Sequence, residues 1–295
     1  MTIIAGFSAG GHGPAPLHLA AQLARCTGDR IVAVAVVERH WPRSLDPFEG
    51  DYLDHVGAQA LRSLEELVGQ LPGDLDVWSM VHQAASVPAG LTELAAEMSA
   101  DMVVVGSSSS GLLGRIALGS VTDRLVHTAA VPVAIAPRGY PAQSGRIERL
   151  TVAYGGQADE VGLVATTAAL AEQWSARLRI ASFTVRPVTM FSGSIETAAE
   201  DLVVDQWAQR NQENIVAQLQ KVSSGVGIVA AEVVIGAGAT WRDAVEAVEW
   251  APGDVLVLGS GAAGQAAQVF LGSAASRILR HAPVPTMIVP RQDTV

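Results

Sequence analysis

The chain has 295 residues, enough for two domains of ordinary size. Its 49% hydrophobic and 16% charged residues exclude a disordered chain, and a net charge of −10 leaves no basic face for nucleic acid. Cys26 is the only cysteine, which excludes a disulfide framework, a thiolate zinc cluster and a CxxC redox pair. Lys221 is the only lysine and sits in QLQKVSS, so no Walker-type phosphate loop is present.

Residues 3–7 form a short apolar run that ends in glycine-rich turn material. Residues 17–25 have helical spacing, and 31–37 are apolar on both faces, as a buried parallel strand requires. Residues 59–71 read as an amphipathic helix, 77–81 as a strand, 87–99 as a helix and 102–105 as a strand. A helix over 119–128 and a strand over 131–136 close this series. The order then recurs: strand 150–154, helix 161–174, strand 178–185, helix 198–221, strand 228–235, helix 241–250, strand 255–258, helix 273–281 and strand 284–289. Five strands alternating with four helices predict a doubly wound parallel α/β sheet, twice.

The recurrence is written in the residues themselves. VVVGSSSSGLLGRIALGSVTDRLVHTAAVPVAIAPR at 103–138 aligns without a gap on LVLGSGAAGQAAQVFLGSAASRILRHAPVPTMIVPR at 256–291, an offset of 153 with 14 of 36 positions identical. That period is the size of a domain, not of a solenoid repeat. Each half also carries a similar charge, nine basic and 14 acidic residues up to position 147 against ten and 15 after it. The expected organisation is two tandem five-stranded α/β domains, 1–138 and 148–295, with GYPAQSGR at 139–146 as the linker. The final strands, 131–136 and 284–289, would lie at sheet edges and pair about a pseudo-twofold axis, giving an intrachain pseudo-dimer. A further homodimer stays open.

The mean hydropathy of +0.30 comes from alanine and valine. The run 31–37 is far short of the roughly 20 apolar residues of a spanning helix, and the start of the chain lacks the features of a signal peptide. A soluble, cytoplasmic protein without membrane or nucleic-acid partners is expected.

In doubly wound sheets a ligand sits beyond the carboxyl ends of the strands, near a helix N-terminus. Gly106 ends the fourth strand, Ser107 to Ser110 supply hydroxyl and amide donors, and Gly119-Ser120 opens the next helix. Unpaired N–H groups at a helix start favour anions. A plain strand–loop–helix connection, with Ser120 as an N-cap, is the alternative.

These segments resemble the universal stress protein family in its tandem two-domain form. The family pattern is G-x2-G-x9-G-[ST], then a helix and a last strand of the PV-x-[IV]-x-P kind. The first half has Gly106-x2-Ser109-x9-Gly119-Ser120 and VPVAIAP. The second has Gly259-x2-Ala262-x9-Gly272-Ser273 and VPTMIVP. The resemblance implies an adenine nucleotide alpha hydrolase-like fold, a stress-response role without strong catalysis, and ATP or a related adenine nucleotide as ligand. No metal beyond nucleotide-bound Mg is implied. The glycines and the terminal serines Ser120 and Ser273 would cradle the phosphates. The family's Asp after the first strand is Ser8 here and Gly155 in the second half. A lost carboxylate–nucleoside bond costs about 1.5–3 kcal/mol, and Ala262 adds a methyl beside the phosphates, so the first half is the better site. Two alternatives remain: a partner-binding or structural member that has lost its nucleotide, and a nucleotide-dependent enzyme of the related fold group.

Other motif matches fail on context. GSGAAG at 259–264 follows a fourth strand and has no acid about 20 residues on, unlike a dinucleotide fingerprint. GFSAG at 6–10 follows a first strand and is not succeeded by a helix, unlike a nucleophile elbow. The seven histidines show no metal spacing, His127 and His281 suit helix C-termini, and Glu65-Glu66 and Glu246-x2-Glu249 read as solvated helix faces.

Overall fold

The computed structural model describes residues 2–7, 13–39, 47–155, 160–185, 231–262 and 269–290, and helical positions 213 and 217. The first half contains β1 (Thr2–Phe7), α1 (Ala15–Thr27), β2 (Arg30–Glu38), α2 (Pro47–Val68), β3 (Val77–Ala84), α3 (Val87–Glu97), β4 (Met102–Gly106), α4 (Ser120–Thr128) and β5 (Val133–Ala136). The second contains β6 (Arg149–Ala153), α5 (Glu160–Trp174), β7 (Arg177–Val185), β8 (Ala231–Gly238), α6 (Trp241–Glu246), β9 (Asp254–Gly259), β10 (Gly261–Ala262), β11 (Val269–Phe270), α7 (Ser273–His281) and β12 (Thr286–Val289).

The five main strands of each half are parallel to one another. Apolar side chains point to both faces of these strands. One face buries Ile3, Ile31, Val104, Leu150, Ile180 and Val257 under α1, α2 and α5. The other buries Ile4, Val103, Ile135, Leu256 and Ile288 under α3, α4, α6 and α7.

The sequence leads to two separate sheets. The structure corrects this: the strands run β3-β2-β1-β4-β5-β12-β9-β6-β7-β8 in one ten-stranded sheet. The cause is the edge pairing of the final strands, which match antiparallel with Ile135 opposite Thr286, Ala134 opposite Met287 and Val133 opposite Ile288. Unpaired strand edges are costly, and each half supplies the partner for the other's edge.

Several boundaries shift for physical reasons. Helix α2 starts earlier than the amphipathic pattern suggests, at Pro47, a residue suited to a first turn. Helix α6 stops at Glu246 instead of running to Trp250. Carbonyls in and after its last turn are taken by side chains: Val245 O accepts from Trp250 Nε1 at 2.8 Å, and Glu249 O accepts from Arg179 Nη1 at 2.7 Å. The final strands begin at Val133 and Thr286, each just after a proline whose carbonyl still accepts from Val103 or Leu256 at 2.9 Å. The hairpin β10–β11 was not expected. The expected helix at 198–221 lies outside the described residues except for the helical positions 213 and 217.

The linker is pinned to α1 and does not hang free. Tyr140 donates its hydroxyl to Gln22 Oε1, and Tyr140 O meets His18 Nδ1 at 2.9 Å. Gln22 donates to Gln143 Oε1 at 3.0 Å, Arg25 to Gln143 O at 3.0 Å, and Ile147 N to Cys26 Sγ at 3.2 Å. Burial pushes the Tyr140 phenol up to about 12 and also raises the Cys26 thiol. Among the described residues no helix is long and apolar enough to cross a membrane.

Candidate functional site

In the first half, β1 and β4 are neighbours at the point where the strand order reverses. In such sheets the place beyond the carboxyl ends of the strands at this switch point is the usual one for a ligand. Gly106 ends β4 at this point, and Gly6 and Phe7 end β1.

Residues 107–119 leave β4, turn at 112–115 and return to α4. Ser107 closes the loop at its base. Its amide donates to Ala136 O at 2.9 Å, and its buried hydroxyl accepts from Ala117 N at 2.8 Å. Ser108 N donates to Ala117 O at 2.8 Å, so the two limbs are bonded to each other. Gly111 permits this approach, since a Cβ there would lie 2.8 Å from that of Ala117. Gly114 takes φ +72° at the turn, where its amide donates to Arg138 O at 2.9 Å. Leu112 and Leu113, 69% and 77% exposed, form the tip.

The sequence-derived site residues therefore divide. Ser107 is a structural staple whose polar atoms are spent within the fold. Ser109 and Ser120 are exposed, and Gly106 and Gly119 are half-buried. Ser108 and Ser110 share a hydroxyl–hydroxyl bond of 2.9 Å on the same loop. Gly119 is the N-cap of α4, in extended backbone and without a capping side chain. Thr122 anchors the first turn by donating to Gly106 O at 3.2 Å. Hydroxyls and a helix start uncapped by any side chain thus meet over the end of β4. Ser8 lies outside the described residues.

The second half keeps the staple but not the loop. Ser260, the counterpart of Ser107, donates its amide to Val289 O at 3.1 Å and its hydroxyl to the same oxygen at 3.2 Å. Beyond it Gly261–Ala262 pairs antiparallel with Val269–Phe270. A short hairpin therefore stands where the first half has its serines. A Cβ on Gly259 would meet Leu163 Cδ2 at 3.1 Å, so an apolar side chain of α5 crowds the end of β9. Gly272 caps α7 with no side-chain bond, and Ser273 is exposed. Among the described residues no cluster of three or more His, Cys, Asp or Glu side chains could hold a metal ion.

The universal stress protein family model matches residues 1–137 and again 146–290. Curated universal stress proteins of Mycobacterium tuberculosis and Mycobacterium bovis are each 35% identical over 297 residues, covering 98% of this chain and 100% of theirs. The chain belongs to the universal stress protein family. Among solved structures, a universal stress protein from Archaeoglobus fulgidus has a TM-score of 0.62 at 17% identity, over 99% of this chain and 98% of that one. A functionally unknown protein from Pseudomonas aeruginosa PAO1 gives 0.56 at 15% identity, over 98% and 92%. At such identities the likeness speaks for the fold. As a universal stress protein the chain has two copies of the family's domain, but its two loops have diverged.

Sequence reasoning missed the bonds by which Ser107 holds the base of the loop. The signal was its retention as Ser260 while Ser108, Ser109 and Ser110 become Gly261, Ala262 and Ala263. A serine kept in both halves marks what both loops share, which is the fold.

Proposed function

We propose that this universal stress protein is a stress-response binding and regulatory module of the cytoplasm, taking one adenine nucleotide such as ATP in its first half and doing little or no catalysis. One observation carries the reading: the hydroxyls of Ser108 to Ser110 and the start of α4, uncapped by any side chain, meet at the β1/β4 switch point, joined by Gly106, Gly119 and Ser120. Amide and hydroxyl donors at that place suit phosphate oxygens. The second half, with its hairpin and with Leu163 against Gly259, acts as support. Equilibrium binding of labelled ATP and AMP to the full chain tests this. One saturable site per chain is expected, and no saturable binding, or two equal sites, would defeat the reading.

A second reading has one observation of its own. Leu112 and Leu113 expose two large apolar side chains side by side at the loop tip, as a partner-binding member without nucleotide would. That reading requires a chain that binds no ATP and whose protein contacts are lost on Leu112→Ser and Leu113→Ser.

A further inference from the structure

The loop that carries the serines is held from outside its own domain. Arg115, at its turn, reaches into the second half. Its Nη1 donates to His281 O at 2.7 Å, and its Nη2 to Glu246 Oε1 at 2.6 Å. His281 is the last residue of α7, where carbonyls have no intrahelical partner and the helix dipole is negative. A guanidinium satisfies both conditions at once. Arg242, one turn before Glu246, approaches the same carboxylate at 3.5 Å.

The backbone around Arg115 ties this contact to the loop. Arg115 N donates to Leu112 O at 3.1 Å, and Arg115 O accepts from Arg138 N at 3.1 Å. The next residue, Ile116, is buried in the core under α3, α4, α6 and α7. The one after it is Ala117, which bonds Ser107 and Ser108. A displacement of Arg115 is therefore passed within two residues to the limb that sets the serines. The second half returns the contact, with α4 lying against β11.

We propose that Arg115 is a positioning residue through which the second half holds the nucleotide loop of the first, so that ligand occupancy in one half is felt at the end of α7 in the other. Coupling of this kind is reciprocal: what α7 does for the ligand, the ligand does for α7. The inference rests on reading residues 107–119 as the nucleotide loop, and its test separates the two.

The variants are Arg115→Ala, Arg115→Lys and Glu246→Gln in the full chain. ATP affinity is measured by equilibrium dialysis, and amide hydrogen exchange is followed over 107–119 and 278–282 with and without ATP. Arg115→Ala should weaken ATP binding roughly three- to tenfold through lost pre-organisation, with the melting temperature little changed. Arg115→Lys should recover part of this, since an ammonium reaches one acceptor but lacks the planar fork. Glu246→Gln should fall between Arg115→Lys and the unaltered chain. In the unaltered chain ATP should slow exchange over 278–282, and Arg115→Ala should abolish that effect. A merely structural Arg115 would leave the ligand-dependent protection in place. If the unaltered chain binds no ATP, the nucleotide reading fails, and the coupling is judged without ligand: Arg115→Ala must then speed exchange in both segments. Unaltered ATP affinity in Arg115→Ala, or faster exchange in only one segment, overturns the inference.

Discussion

The two halves share a sheet but not its interior. Across β2, β1, β4 and β5 one row reads Val32, Ile4, Val103 and Val133, all buried and apolar. The matching row across β7, β6, β9 and β12 reads Arg179, Thr151, Leu256 and Thr286, equally buried. Arg179 is 1% exposed. It donates to Thr151 Oγ1 at 3.0 Å and to Glu249 O at 2.7 Å, and its carbon Cζ lies 5.0 Å from the Trp250 ring. Asp254, also 1% exposed, takes two bonds from Arg149, at 2.9 and 2.6 Å, and lies 3.5 Å from Arg179. Burial and the neighbouring Arg149 depress the Arg179 pKa, while the bond to Asp254 raises that of Arg149. A duplicated fold can thus replace an apolar layer by a buried charge network, provided that carboxylate and carbonyl acceptors come with the arginine. Arg179 Nη2 and Thr286 Oγ1 still lack a hydrogen bond among the described residues, which is a cost that the first half does not bear.

The largest expected effect tests whether the halves can be compared as separate bodies at all. Ile135 is fully buried at the β5–β12 seam. Ile135→Asp places an unpaired charge there and should cost more than about 4 kcal/mol. Calorimetry should show both halves destabilised together. Two uncoupled transitions, with the second half unmoved, would break the single-sheet picture, as would small-angle scattering from an elongated two-lobed particle.

Next comes the charge network itself. Asp254→Ala strands Arg149 and Arg179 in the interior and should cost about 3–5 kcal/mol in denaturant unfolding. Its counterpart Asp101 accepts the Thr2 amide at 2.9 Å and meets no arginine among the described residues, so Asp101→Ala should cost about 1–2 kcal/mol. Equal losses would mean that Asp254 carries no special burden.

How much of this was legible depends on range. Periodicity and the 153-residue register exposed the strands, because a parallel strand buried on both faces shows as a continuous apolar run such as IVAVAVV. The same register exposed Gly106 and Gly259 as equivalent strand ends. Pairing of the final strands was legible from their edge position, but fusion into one sheet follows only when that pairing is taken as hydrogen-bonded. Arg179 was hidden because RLRIASFTV reads as a strand with an exposed charge, and only packing shows the charge turned inward. Arg115 was hidden for another reason. Its partners Glu246 and His281 lie 131 and 166 residues away, beyond any local pattern.

A smaller effect concerns the joint between the halves. Tyr140 is buried against α1, and its phenol is raised from 10.0 to about 12. Between those values the unfolded chain ionises this tyrosine and the folded chain does not, so unfolding is favoured as pH rises. The stability held through Tyr140 is complete below about pH 10 and lost towards pH 12, up to about 2–3 kcal/mol. Tyr140→Phe should flatten that alkaline limb when stability is measured against pH. An unchanged slope would remove the linker from the alkaline response.

The smallest effect separates the two loops. Ser120 opens α4 beside the serine-lined loop, whereas Ser273 opens α7 after the β10–β11 hairpin. Both helices are capped by a glycine with no side-chain bond, so their dipoles and amides are alike. What differs is what stands opposite: hydroxyls at 108–110 in one half, a backbone-paired hairpin and Leu163 in the other. A phosphate held in the first half should lose one charge-assisted bond in Ser120→Ala, roughly tenfold in ATP affinity. Ser273→Ala should change affinity by less than about twofold, because a residue that touches no ligand has only indirect influence. Neither change should move the melting temperature, since both hydroxyls are exposed. Equal losses, or a loss in Ser273→Ala alone, would reverse the assignment of the binding half. Such a result would also require the β10–β11 hairpin to open, which hydrogen exchange over 261–270 would register directly.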